Sequence, residues 1–201
     1  HVKPQPADQI NLIYHTTPHR GLDILVPVFT ELCNHYDNIT LDVYSSFDIY
    51  GWGQRDADYE HLFEQCRNHP KINYHGYQPN DVVREALKKA HIFAFPSIWA
   101  ETSCIAAMEA MSARCVVVAP DYAALPETLA GFGITYSMHE DVNVHANMFI
   151  QALNQTIQQI NTDEMDNRLD FQKAYADGFY SWNSRVPQWQ SLINSVTVQA
   201  P

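Results

Sequence analysis

The sequence lacks any long apolar run. No uninterrupted stretch among its 201 residues approaches the roughly 20 apolar residues that a membrane-spanning helix needs. Its first residues also lack the pattern of a secretory signal. These absences predict a soluble protein without a transmembrane segment, whose contact with a membrane, if it has one, comes through another domain.

Positive charge is also scarce. Twelve Lys plus Arg residues stand against 23 Asp plus Glu, which gives a formal net charge of −11. Nucleic acids and anionic lipid surfaces are bound through clustered cations that neutralise phosphates. The charge balance therefore argues against both as the main partner. It predicts that any bound phosphate is held by backbone amides and by one or two basic side chains.

The four cysteines have no C-x-x-C spacing, and the ten histidines form no metal-finger pattern. Together with the missing signal, this predicts free thiols in a reducing, cytoplasmic compartment. His15 and His19 are the only histidines four residues apart, and Pro18 between them disfavours the helix that would bring them together. The sequence therefore predicts neither a metal site nor a cofactor.

Short apolar runs alternate with amphipathic segments along the chain. About six runs rich in β-forming residues, among them Ile10–Tyr14 and Leu41–Tyr50, are separated by segments with helical spacing of apolar residues. Crossovers of more than ten residues between strands imply parallel pairing. The pattern predicts an α/β fold, a Rossmann-like doubly wound parallel sheet over residues 10–180, with a linker at residues 1–9 and a closing helix and tail at residues 181–201.

The segment His91–Val118 is the most informative of the chain. An apolar run that ends in Pro-Ser is followed by Glu101 and then by an Ala/Met-rich stretch with helical spacing. We expect this helix to start near Ser103, with Thr102 or Ser103 as its N-cap. A second apolar run follows the helix, so the pattern predicts strand, helix, strand.

Two carboxylates of this segment are spaced to suit a nucleotide. Six rises of about 1.5 Å place Glu109 roughly 9 Å below the helix N-terminus, whose free amides bind anions. A pyrophosphate would lie on the amides of Ser103, Cys104 and Ile105. Glu109 would then accept hydrogen bonds from ribose, and Glu101 from another polyol. Two glutamates eight residues apart are also compatible with an ordinary solvated helix surface.

Several polar or conformationally special residues follow predicted strands. They are Arg20, Gly51, Tyr77, the segment from residue 96 to residue 104, and Glu127. Ligands of doubly wound sheets bind at the carboxyl ends of the strands. These candidates are therefore expected to converge on one edge of the sheet.

The string ETSCIAAMEAMSA, from Glu101 to Ala113, resembles the E-x7-E motif of retaining GT-B glycosyltransferases, in particular glycosyltransferase family 4. Three further landmarks occur in the family's order: HTTPHRGLDIL from His15, the strand and loop at Ile72–Tyr77, and YSWNSRVPQWQSL from Tyr180. Together they span about residues 10–193. The resemblance implies that the chain is the C-terminal, donor-binding half of a GT-B fold.

The resemblance also implies a reaction. A sugar would pass from a UDP- or GDP-linked donor to a glycan or other acceptor, with retention at the anomeric carbon and without a metal ion. The acceptor site would come from an N-terminal GT-B domain or from other domains of a longer chain. Arg20 would stabilise the departing diphosphate and Glu101 would hold the sugar hydroxyls. The other implied donor-binding residues are Glu109, Thr102, Ser103, Cys104, Ile105, Tyr77, Gly51 and Ser97.

The chain departs from the family pattern at two places. His15-Thr16 stands where a Gly-Arg pair is usual, and His15 or His19 is the candidate substitute for the missing cation. Arg114 stands where a glycine is common, which predicts a differently shaped turn before the fifth strand. These departures favour an alternative, a nucleotide-sugar-binding module that does not transfer the sugar. A nucleotide-sugar epimerase of GT-B fold is a third interpretation, against which the string around Glu101 argues.

Overall fold

A computed structural model describes residues 7–197. Its six strands form one sheet in the order β3-β2-β1-β4-β5-β6, and every neighbouring pair is parallel. The predicted parallel α/β sheet is confirmed. The strand order reverses between β1 and β4, and that reversal is where doubly wound sheets leave a crevice. The strands are β1 Ile10–Tyr14, β2 Ile39–Val43, β3 Ile72–Tyr74, β4 Ile92–Ala94, β5 Val116–Pro120 and β6 Ile134–Tyr136.

Eight α-helices within residues 7–197 cover the sheet. They are α1 Leu22–Leu32, α2 Glu60–Asn68, α3 Asn80–Leu87, α4 Ile105–Ser112, α5 Leu125–Leu129, α6 Val142–Gln159, α7 Asp163–Phe179 and α8 Trp182–Thr197. Helix α1 packs against α2 and α6, whereas α4 packs against α3, α5 and α7. Strands β4 and β5 are buried at every position, as expected for central parallel strands covered on both faces.

The predicted strand Leu41–Tyr50 is shorter than expected. Strand β2 ends at Val43, and Phe47–Tyr50 forms a 3-10 helix instead. Ser46 explains this ending, because its hydroxyl accepts a hydrogen bond from the Asp48 amide at 2.9 Å and so caps the turn.

The turn before β5 takes a left-handed conformation without a glycine. Arg114 has φ +58° and is buried, and its Nη2 donates to Asp166 Oδ1 at 2.7 Å. Its Nε lies 3.0 Å from Asp170 Oδ1. Both aspartates are on α7, so the side chain joins this turn to α7. The ion pairs offset the cost of a positive φ for a residue with a Cβ.

The two ends of the described chain differ in their packing. Ala7, in the predicted linker, is buried, and its N–H donates to Asn161 Oδ1 at 2.7 Å. Helix α8, the predicted closing helix, has no buried residue, and Trp182 and Trp189 are exposed. Residues 1–6 and 198–201 of the predicted linker and tail lie outside the described residues. No helix within residues 7–197 is long and apolar enough to cross a membrane.

Candidate functional site

A cavity of about 520 Å³ opens at the carboxyl edge of the sheet, beside the reversal between β1 and β4. The loops that follow β1, β2, β3 and β4 all contribute to its wall. Eight of the ten predicted site residues line this cavity. They are Arg20, Tyr77, Glu101, Thr102, Ser103, Cys104, Ile105 and Glu109.

Helix α4 begins later than predicted. Its first residue is Ile105 and its N-cap is Cys104, which has extended backbone angles, while no side chain caps the helix. The expected capping by Thr102 or Ser103 is therefore wrong. Glu109 is four residues into the helix, about 6 Å along its axis rather than 9 Å. The free amides and the carboxylate still share one cavity.

Cys104 is the N-cap of α4 and lines the cavity with little exposed surface. It is buried, and burial raises the pKa of its thiol to about 12, although the backbone amides of Ala107 and Ala106 oppose the shift. The thiol is therefore protonated at neutral pH and is a poor nucleophile.

Arg20 and Glu101 form an ion pair on the cavity wall. The Glu101 carboxylate is almost fully buried, whereas Arg20 is partly accessible. Burial acts to lower the pKa of Arg20, but the hydrogen bond and the charge of Glu101 raise it above its ordinary value. The two predicted catalytic residues thus contact each other. A bound diphosphate would have to share Arg20 with this carboxylate.

Gly21 explains how the two loops that carry this pair come together. A Cβ built on Gly21 would lie 2.2 Å from the Pro96 carbonyl oxygen, and its φ of +108° is unfavourable for other residues. Only glycine allows the start of α1 to approach the loop after β4 so closely. The Glu101 carbonyl in turn accepts from the Ala124 amide at 3.0 Å, which anchors its loop next to α5.

The histidines proposed as substitutes for a missing cation do not supply a charge at neutral pH. Burial lowers the pKa of His15 to about 4, and its ring lies against Phe93 with centroids 4.6 Å apart. Burial, followed by the charges of Arg20 and Arg55, also lowers the pKa of His19. His15 lines the cavity as a neutral ring. Arg20 is therefore the basic side chain on this wall.

Glu109 has two partners that the sequence analysis missed. Asn80 Nδ2 donates to its Oε1 at 3.3 Å and Arg84 Nε donates to the same atom at 3.2 Å. Both partners are on α3, four residues apart and therefore on one helical face. The spacing of Asn80 and Arg84 predicts that they share one face of a helix, but it does not predict which carboxylate that face contacts.

Of the remaining predicted residues, Tyr77 lines the cavity, whereas Ser97, Gly51 and Glu127 do not. Tyr77 is half-exposed and lines the cavity next to Gly76. Ser97 is fully buried, and its Oγ accepts from the Trp99 amide at 3.2 Å, so it shapes the loop rather than the cavity wall. Gly51 ends the 3-10 helix with φ +72° and lies outside the lining. Glu127, on α5, also lies outside it.

The side chains on this edge that sequence reasoning missed are mainly apolar and aromatic. Ile49, Tyr50 and Trp99 line the cavity and are largely exposed. Their residue types gave no signal, because an aromatic side chain after a strand usually packs in the core. Within residues 7–197, no three His, Cys, Asp or Glu side chains are grouped closely enough to hold a metal ion, and no cysteine forms a disulfide bond.

Comparison with known proteins gives a match of residues 3–175 to the family model described as "Glycosyl transferases group 1". A phosphatidylinositol N-acetylglucosaminyltransferase subunit from Arabidopsis thaliana is 29% identical over 164 residues, which cover 81% of this chain and 33% of that protein. The gpi3 subunit of the Schizosaccharomyces pombe enzyme of that name is 21% identical over 179 residues, covering 88% and 36%. The chain thus spans about a third of the length of these relatives.

Solved structures share the fold. A glycosyltransferase from Rickettsia africae superimposes with a TM-score of 0.80 at 13% identity, covering 97% of this chain and 50% of that one. Sucrose-phosphate synthase from Thermosynechococcus elongatus gives a TM-score of 0.77 at 16% identity, with 97% and 47% covered. At these identities the likeness concerns the fold alone.

Proposed function

The chain belongs to the family of glycosyl transferases group 1, and from that premise we propose that it is the donor-binding half of a retaining enzyme. One observation carries the proposal. A single cavity at the sheet reversal joins the N-terminus of α4, the Arg20–Glu101 pair and Glu109. These groups match the three parts of a nucleoside-diphosphate sugar, which are an anion, a sugar and a ribose.

We propose one orientation for the donor in this cavity. Its diphosphate would accept hydrogen bonds from the free amides at the start of α4 and from Arg20. Its ribose hydroxyls would donate to Glu109, about 6 Å further along the helix, and compete there with Asn80 and Arg84. The base would lie against Tyr77 at the opposite end from Glu101. The sugar would then lie next to Glu101.

The proposed chemistry needs no protein nucleophile. The bond between the anomeric carbon and the phosphate oxygen breaks, and the acceptor hydroxyl oxygen bonds to the same face of that carbon. The hydroxyl proton goes to the leaving phosphate oxygen. Negative charge grows on the diphosphate as the first bond breaks, so Arg20 and the α4 amides stabilise the transition state more than the bound donor.

The names of the curated relatives support a choice of sugar and acceptor. Both are subunits of a phosphatidylinositol N-acetylglucosaminyltransferase, so we take N-acetylglucosamine as the sugar and phosphatidylinositol as the acceptor. Such a lipid acceptor would bring the protein to a membrane surface as a peripheral protein. An N-terminal GT-B domain or other subunits would complete the acceptor side.

A module that binds a nucleotide sugar without transferring it is the second candidate. The observation that favours it is the scarcity of positive charge in the cavity, where His15 is neutral and Arg20 is already paired with Glu101. Retained donor binding without sugar release would identify such a module. Sugar transfer to phosphatidylinositol by a complete assembly that contains this chain would exclude it.

Calorimetric titration of this chain with UDP, GDP and TDP tests the donor site. We expect selective binding of one diphosphate that EDTA does not weaken. Glu109→Gln should reduce that affinity about tenfold, as for one lost charge-assisted hydrogen bond. Glu60→Gln is the matched control, because Glu60 is also a helical glutamate paired with an arginine but lies outside the cavity. Equal affinities for wild type and Glu109→Gln would refute the assignment of the ribose to Glu109.

A further inference from the structure

A second cavity, of about 470 Å³, adjoins the first. We call it the aromatic pocket and define it by six of its side chains: His19, Phe47, Trp52, Arg55, Tyr59 and Trp99. Its volume is in the range of small-molecule sites. Nothing in the donor arrangement described above uses these side chains.

The rings of the aromatic pocket support one another. Phe47 is fully buried, and His19 stacks on it with centroids 5.2 Å apart and an interplanar angle of 13°. The Trp99 ring is nearly perpendicular to the His19 ring, and their centroids are 4.9 Å apart. Trp52 and Trp99 remain 49% and 51% exposed, so about half of each side chain is available to a ligand. Large apolar ring faces suit the C–H face of a polyol or cyclitol.

The aromatic pocket also contains a cation held in place without a carboxylate. The Arg55 guanidinium lies over the Phe47 ring at 4.4 Å and near the Trp52 ring at 5.8 Å. Among the side chains of residues 7–197, no Asp or Glu forms an ion pair with it. The neighbouring Asp56 instead accepts from the Phe47 amide at 2.8 Å.

Arg55 also differs from the other two arginines that have no carboxylate partner among the described side chains, Arg168 and Arg185. Arg168 donates to backbone carbonyls, among them that of Phe132 at 2.9 Å, and Arg185 donates to Gln188, whereas within residues 7–197 the Arg55 side chain donates no hydrogen bond. A guanidinium offers planar paired donors that match a phosphate. The charges of Arg20 and Arg55 both reach His19, whose pKa they lower together with burial. The chemistry of the aromatic pocket therefore complements an anion that is attached to an apolar ring face.

The aromatic pocket is continuous with the donor cavity. Arg20, Tyr50 and Trp99 line both cavities. A molecule in the aromatic pocket would therefore lie next to the Arg20–Glu101 pair, where the proposed function puts the donor sugar. An acceptor has to occupy such a position if its hydroxyl is to reach the anomeric carbon.

We propose that the aromatic pocket binds the acceptor as a phosphate ester of a polyol, with the phosphate on Arg55 and the polyol ring against Trp52 and Trp99. This inference rests on the proposed function, which supplies the neighbouring donor sugar and an acceptor of this class. It assigns part of acceptor recognition to this domain.

The test is a calorimetric titration of this chain with glycerophosphoinositol, and in parallel with UDP. Arg55→Gln should weaken glycerophosphoinositol binding at least tenfold and leave UDP binding unchanged. Arg67→Gln is the matched control, because Arg67 also lies over a ring, that of Tyr74 at 5.4 Å, but outside the aromatic pocket. The Arg67→Gln variant should bind glycerophosphoinositol and UDP with the affinities of the wild type.

Each outcome decides a different point. Equal binding of glycerophosphoinositol by wild type and Arg55→Gln overturns the proposal, and so does equally tight binding of inorganic phosphate. Loss of UDP binding in Arg55→Gln also overturns it, because Arg55 would then serve the donor. Failure of all variants to bind UDP, with the Arg55-dependent effect intact, contradicts the donor site alone.

Binding to lipid vesicles distinguishes the two sources of a polyol phosphate ester, which are a lipid headgroup and a free polyol phosphate. Arg55-dependent binding to phosphatidylinositol vesicles, but not to phosphatidylcholine vesicles, supports the proposal and identifies the source as a lipid headgroup. Arg55-dependent binding of the soluble ester alone supports it with a free polyol phosphate as the ligand.

Discussion

The ion pair between Arg20 and Glu101 should be asymmetric in its contribution to stability. The Glu101 side chain is 5% exposed and the Arg20 side chain is 20% exposed. Removing the arginine leaves a carboxylate without its cation in a buried position, which costs about 3 kcal/mol. Removing the carboxylate leaves a guanidinium that water still reaches. We therefore expect Arg20→Gln to destabilise the fold by about 3 kcal/mol and Glu101→Gln by about 1 kcal/mol.

A double-mutant cycle measures the coupling directly. Urea denaturation of wild type, both single variants and the double variant should give a coupling of roughly 2 kcal/mol, in the range for contacting residues. The pair Arg67–Glu60 is the control, because its side chains are 43% and 53% exposed. An exposed pair of this kind should couple by less than about 1 kcal/mol.

Two results would refute this reasoning. A coupling at Arg20–Glu101 no larger than that at Arg67–Glu60 would show that burial does not strengthen the pair. A larger loss of stability in Glu101→Gln than in Arg20→Gln would show that the carboxylate is not the more costly charge to leave unpaired.

Three further predictions concern other residues. Burial lowers the pKa of His15 from 6.5 to about 4, so the neutral ring contributes stability above pH 6.5 that is lost as the pH falls through 4. Between pH 7 and 4, the melting temperature of His15→Gln should therefore fall less than that of the wild type. Arg114→Gly should have a free energy of unfolding about 1 kcal/mol higher than Arg114→Ala, as measured by urea denaturation. Both variants lose the ion pairs, but only alanine keeps the cost of a positive φ. Iodoacetamide at pH 8 should label Cys33 before Cys104 in the folded protein, because Cys104 is buried and its thiol pKa is raised to about 12. Peptide mass spectrometry measures the two labelling rates. Equal rates would contradict the burial of Cys104.

The strands and most helices could be predicted because their signals are local. Ile10–Tyr14 was predicted with the bounds that the structure has, since its apolar run is flanked by polar residues. Element ends were less reliable. The strand after Leu41 was predicted too long because the cap at Ser46 replaces strand pairing with a local hydrogen bond. Helix α4 was predicted to start too early because several small polar residues precede it, and any of them could have been the cap.

The sequence predicted which of the candidate site residues lie near one another, but not which of them make contact. Strand ends and the E-x7-E resemblance pointed to Glu101, Glu109 and Arg20, and all three line the 520 Å³ cavity. Their pairing was not predictable, because Arg20 and Glu101 are 81 positions apart. The approach of Gly21 to Pro96, on which that pairing depends, is a tertiary contact that no sequence spacing encodes.

Sequence alone determined the order of strands and helices, the parallel sheet that such an order implies, and the edge of the sheet where the candidate site lies, because hydrophobic period and crossover length act along the chain. Tertiary structure decided which charges meet. It paired Glu101 with Arg20, placed Glu109 against Asn80 and Arg84, and left Arg55 on an aromatic ring without a carboxylate among the described side chains. Charges attract across space, so their partners are chosen only when the sheet has brought distant loops together.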